Sequence, residues 1–128
     1  MITGGCFCGQ VRYDLDDGDY TVVNCHCTMC RRTSAAPYVT WMIVPVGNVH
    51  LVKGEPARLK SSDDGTREFC NSCGTPVFCT NTGHPDIIDV TLCSLDEPAA
   101  FTPSVESYTD TKLNWVNDLT SIPAWKEK

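Results

Sequence analysis

The chain has 128 residues, 41% of them hydrophobic and 20% charged, with nine Gly and eight Pro spread along its length, which gives room for one domain (1–128) with one modest core. A formal net charge of −6 and a pI near 4.8 exclude a polyanion such as nucleic acid as the main partner. The first twenty residues lack a basic segment followed by an apolar one, and the longest mostly apolar stretch, 38–46, is too short to cross a bilayer. The expectation is therefore a cytoplasmic protein with no membrane partner.

Nearly every periodic segment reads as a strand. Residues 10–15 alternate polar and apolar, as a half-buried strand does. Segments 20–23, 38–44, 49–52 and 57–60 are short and rich in β-branched or aromatic residues, and 75–80 and 87–95 continue the series. Turn signals separate them at Asp16-Asp17-Gly18-Asp19, Gly47-Asn48, Lys53-Gly54, Asp63-Asp64-Gly65 and Asn81-Thr82-Gly83. Helix is expected only as a turn after Cys30, through Arg31 to Thr33, and another near 96–100. The tail from 101 onward reads as irregular, with Leu113, Trp115, Leu119 and Trp125 available to pack on the sheets. These elements predict an all-β fold, a sandwich or tent of two sheets.

Nine cysteines cannot all pair in disulfides, and in a reducing compartment such a set points to metal binding or thiol chemistry. Cys70-Asn71-Ser72-Cys73-Gly74 has the spacing of a zinc knuckle, in which a tight turn aims two sulfurs at one ion. Such a half-site needs a second pair, and Cys6-Phe7-Cys8-Gly9 supplies one, with neighbouring glycines to bend the chain. Four protein sulfurs leave no open valence, so Cys6, Cys8, Cys70 and Cys73 are expected to form a structural zinc site.

Cys25-His26-Cys27-Thr28-Met29-Cys30 offers three cysteines and no second pair. Three protein ligands and one open position are the arrangement of a catalytic zinc, so Cys25, Cys27 and Cys30 are expected to hold a second, more labile ion. Two Zn2+ per chain follow. Arg31 and Arg32 come next and are the candidate contacts for an anionic substrate. His26 alternates with two of the cysteines and is expected to point away from their ion. His50 and His84 read as surface residues. Arg67 reads as a charge that balances the knuckle, and Cys79 and Cys93 as small buried hydrophobes.

The combined pattern resembles the glutathione-dependent formaldehyde-activating enzyme family, which includes the centromere protein V group. The matching blocks are Gly4-Gly5-Cys6-Phe7-Cys8-Gly9-Gln10-Val11-Arg12-Tyr13, Cys25-His26-Cys27-Thr28-Met29-Cys30-Arg31-Arg32, and Arg67-Glu68-Phe69-Cys70-Asn71-Ser72-Cys73-Gly74-Thr75. A weaker tail block runs from Asn114-Trp115 to Ile122-Pro123. The resemblance implies a zinc-stapled two-sheet fold and a carbon–sulfur lyase-type activity. In that reaction glutathione, or a similar small thiol, adds to formaldehyde or a related small aldehyde. It assigns the four-cysteine set to the structural zinc and the three-cysteine set to the labile one. One departure stands out: family members commonly have glycine where this chain has Ala35, a position at which an added methyl group would obstruct a closely approaching substrate.

Two functions compete at this level. One is the zinc-dependent enzyme; the other is a non-catalytic zinc module for a protein partner, which would gain nothing from an open valence. A methionine sulfoxide reductase would need a reactive cysteine outside the metal sets, and only Cys79 and Cys93 remain, with no basic neighbour in sequence.

Overall fold

The computed structural model describes residues 1–127. Ten strands and one short helix run in the order β1 (Ile2–Gly5), β2 (Arg12–Leu15), β3 (Thr21–Cys25), α1 (Thr28–Ser34), β4 (Val39–Pro45), β5 (Val49–Lys53), β6 (Ala57–Lys60), β7 (Gly65–Phe69), β8 (Pro76–Asn81), β9 (Ile87–Thr91) and β10 (Val105–Ser107). They form a three-stranded sheet, β1-β2-β5, and a seven-stranded sheet, β10-β3-β4-β9-β8-β7-β6. Two sheets and scarce helix agree with the sequence reading. Helix α1 includes the turn expected after Cys30 but starts earlier, at Thr28, within the second cysteine cluster, and single 3-10 turns occupy Leu92–Ser94 and Pro98–Ala100. The strand expected over 87–95 thus stops at Thr91.

The core lies between the sheets. Tyr13 and Leu15 on β2 face Val22, Met42, Val44, Val77, Phe78 and Val90 of the large sheet, with Leu92 and Leu95 closing the end. Tyr13 joins the layers: its ring lies 5.1 Å from that of Phe78, and its hydroxyl lies 2.6 Å from the Ser94 hydroxyl. Burial pushes that phenol up to about 12. Gly4 is required beside it, because a Cβ there would come within 2.5 Å of the Tyr13 hydroxyl.

The opposite face of the large sheet is what positions the site. Along β4, Met42 and Val44 enter the core, whereas Trp41 and Ile43 line a cavity. On β8 and β9, Phe78 and Val90 are core residues, whereas Cys79 and Asp89 line the same cavity. Alternation along a strand produces this division. The run 38–44 reads as continuously apolar because both of its faces are covered.

Three strands lay outside the sequence reading: glycine-rich β1, charged β7 and the short β10. The tail also differs. Among the described residues of the tail, 3-10 turns fill Asn114–Ser121. Trp115 and Leu119 are about half exposed, and Trp125 is 83% exposed, so none of them is packed into the core. Their polar neighbours leave no continuous apolar face for a sheet to bury. No helix among the described residues is long and apolar enough to cross a membrane.

Candidate metal centres and cavity

Two groups of cysteines converge. Sγ atoms of Cys6, Cys8, Cys70 and Cys73 all lie within 4.8 Å of one another, as do those of Cys25, Cys27 and Cys30.

The four-cysteine group joins the two sheets. Cys6 and Cys8 lie in the turn between β1 and β2, and Cys70 and Cys73 in the turn between β7 and β8. The chain at Cys6-Phe7-Cys8 is a turn closed by the Gly9 N–H on the Cys6 carbonyl, rather than bent strand. The Gly74 N–H closes the other turn on the Cys70 carbonyl at 2.8 Å. Gly9 (φ 78°) and Gly74 (φ 82°) both occupy the left-handed region, which a side chain resists. The two turns are therefore built alike, each with its glycine just after the second cysteine.

Hydrogen bonds favour thiolates here. The Val11 N–H donates to Cys6 Sγ at 3.2 Å. The Thr75 hydroxyl oxygen accepts from the Phe7 N–H and lies 3.2 Å from Cys73 Sγ, to which it is free to donate. That bond, above all, draws Cys73 down to about 5. A tetrahedral zinc with bonds of about 2.3 Å needs sulfurs about 3.8 Å apart. The Cys6–Cys8 and Cys8–Cys70 separations are 3.6 and 3.7 Å. The donor set fits zinc.

The three-cysteine group is local. Cys25 ends β3, Cys27 caps α1, and Cys30 lies in the first turn of that helix. The Cys30 N–H donates to Cys27 Sγ at 3.2 Å. Cys25 and Cys30 lie 3.4 Å apart, and the hydrogen bond between them draws Cys25 down to about 7 while pushing Cys30 up. Close sulfurs cannot all ionise without a cation between them. A metal ion answers that need, so this set fits one as well.

These sulfurs form part of a cavity of about 640 Å³, whose lining also includes Trp41, Arg67, Cys79, Asp89 and Tyr108. Among the described residues, Arg67 is the only cationic one in that lining. Its Nη2 donates to Cys30 Sγ at 3.5 Å, its Nε to the Ser61 hydroxyl at 3.3 Å, and its guanidinium carbon lies 5.8 Å from the Trp41 ring centroid. Arg67 therefore serves the three-cysteine group and not the knuckle that it precedes in sequence. Its strand, β7, aims it across the sheet and away from Cys70. Alternation of Thr66, Arg67, Glu68 and Phe69 was the available signal.

The other sequence candidates fall as follows. Arg31 and Arg32 lie on α1, outside the cavity lining. His26 is wholly buried and points to Glu106, with Nε2 3.0 Å from its carboxylate, and Lys112 holds the same carboxylate at 2.9 Å. His50 is paired with Asp16. Cys93 is exposed, which corrects its reading as a buried hydrophobe, because the strand ends before it in a 3-10 turn. Cys79 is only half-buried and does have a basic neighbour: Arg67 pairs with it across β7 and β8. Burial nevertheless pushes its thiol up to about 11, away from the reactive form.

Comparison with known proteins places this geometry. A curated protein from Halomonas elongata, provisionally named a glutathione-dependent formaldehyde-activating enzyme, is 22% identical over 127 residues, covering 91% of this chain and 80% of that protein. A crystal structure of a Rhodobacter sphaeroides protein superposes with a TM-score of 0.68 at 19% identity, over 82% of this chain and 99% of the other, and shares the fold. The family model described as glutathione-dependent formaldehyde-activating enzyme matches residues 1–111, so the chain belongs to that family.

Proposed function

We propose that the protein is a cytoplasmic, zinc-dependent carbon–sulfur lyase-type enzyme that adds glutathione, or a similar small thiol, to formaldehyde or a related small aldehyde. The observation that carries the reading is the three-sulfur group opening into a cavity, with no fourth sulfur, histidine or carboxylate converging on it among the described residues. Zinc at Cys6, Cys8, Cys70 and Cys73 would be structural. Zinc at Cys25, Cys27 and Cys30 would supply positive charge that stabilises a thiolate and a developing oxyanion.

The chain's own residues do the rest. The cavity is within the usual size range for small-molecule sites. Val23, Trp41 and Ile43 give it an apolar wall beside the three sulfurs. Arg67 is pinned over Trp41 and beside Cys30, where its charge favours an incoming thiolate or carboxylate. In the reaction, the substrate sulfur forms a bond to the aldehyde carbon while the carbonyl π bond opens onto oxygen. The thiol's proton ends on that oxygen, so no redox partner is consumed. Arg31 and Arg32 follow Cys30 directly and remain the candidate contacts for a carboxylate outside the lining.

Titration calorimetry of the zinc-loaded protein with glutathione tests the assignment. Wild type is expected to bind, and R67A to bind at least tenfold more weakly, equivalent to about 1.4 kcal/mol. The R31A/R32A double variant is expected to lose less. Zinc content is measured in parallel, so that loss of the ion is not mistaken for loss of the arginine. No heat from wild type with millimolar glutathione would sink the thiol reading.

A further inference from the structure

Three strands set a row of side chains across the cavity wall. Arg67 on β7 pairs with Cys79 on β8, and Cys79 pairs with Asp89 on β9. Paired residues share a face, and all three line the cavity. Strands about 4.8 Å apart set the backbones of Arg67 and Asp89 about 10 Å apart. A three-residue peptide spans about that length when extended.

Asp89 has no ordinary structural explanation. Its neighbours across the sheet, Cys79 and Ile43, offer its carboxylate no hydrogen bond. Among the described residues it takes part in no ion pair, and Arg67 is engaged with Cys30 and Ser61. Burial pushes the Asp89 carboxyl up from its usual range, while Arg67 and His84 oppose the rise from a distance. A half-buried carboxylate that faces a cavity with no protein donor is placed to take a charged donor brought by a ligand.

We infer that Asp89 is a specificity-determining residue that takes the ammonium group of the thiol substrate, so that the cavity selects a thiol carrying both an amine and a carboxylate. This rests on the thiol-binding reading above. Arg67 and Asp89 then hold the two signs of a zwitterionic ligand at opposite ends of one wall. Asp110, an exposed lining residue on the segment after β10, supplies a negative charge at the rim without the enclosure.

The test compares two ligands that differ by one positive charge: glutathione and N-acetylglutathione. Titration calorimetry of zinc-loaded wild type is expected to show glutathione binding at least tenfold more tightly. In D89N that preference is expected to shrink to within twofold, chiefly through weaker glutathione binding. D110N is expected to keep the wild-type preference, which separates a contact from a general field effect. Equal binding of both ligands to wild type overturns the inference without any variant and leaves the thiol reading intact. An unchanged preference in D89N overturns it too. If wild type binds neither ligand, the thiol reading itself has failed and the inference falls with it.

Discussion

Ala35 sits at φ 49°, ψ 45°, a left-handed conformation that alanine resists. It ends α1: both its own N–H and that of Ala36 reach back to the Arg31 carbonyl. A glycine commonly found there is accounted for by the helix terminus, because Ala35 is exposed and does not line the cavity. The added methyl strains a cap and does not obstruct a substrate. Ala35→Gly should therefore stabilise the protein by about 0.5–1 kcal/mol, since relief of strain outweighs the extra chain entropy of glycine. Thermal melts at equal zinc content check this. A lower melting temperature in the variant would contradict the cap. Tyr108 is the other non-glycine residue with positive φ among the described residues, and unlike Ala35 it lines the cavity. Its conformation had no sequence signal, because only the chain's return onto β3 imposes it.

At the level of elements, the two cysteine groups differ in what they tie together. One bridges turns more than sixty residues apart and fastens the small sheet to the large one. The other ties the end of β3 to the first turn of α1. A metal that closes a long loop contributes its binding free energy to global folding, while a local one mainly orders its own turn. Cys70→Ser is thus expected to unfold the protein or lower its melting temperature severely, and Cys27→Ser to leave most of the fold. Equal losses would contradict the division. Both groups were legible from spacing alone, because ligand geometry forces cysteines into short, recognisable intervals. The strands that complete the cavity were less legible. β7 carries Arg67 and Glu68, poor strand formers that are held extended by β6 and β8 on either side. β10 is three residues long and lies parallel to β3, a pairing about eighty residues distant that no local pattern announces.

For the molecule as a whole, metal content is the decisive quantity. Freshly purified protein should carry more than one zinc per chain, and a mild chelator should remove one ion early with little loss of β-sheet signal. Removal of the second should coincide with unfolding. The order follows from the ligand count: an ion with an open position admits a competitor before any protein sulfur leaves. Release of both ions together, or a single chelation-resistant zinc, would deny Cys25, Cys27 and Cys30 their separate role. The two-sheet architecture was readable from short β-rich segments and frequent turns, whereas the cavity was not. Apart from the three cysteines, it is made of one or two residues from each of β3, β4, β7, β8, β9 and β10 with their adjoining segments, each unremarkable in its own segment.

The alternation along β4, β8 and β9 also separates two evolutionary burdens. Even-numbered positions such as Met42, Val44, Phe78 and Val90 answer to packing between the sheets, and odd-numbered ones such as Trp41, Ile43, Cys79 and Asp89 shape the cavity. A change at one set leaves the other in place, because the sheet stands between them. Descendants of such a scaffold are free to try new ligands one side chain at a time while the fold is inherited whole.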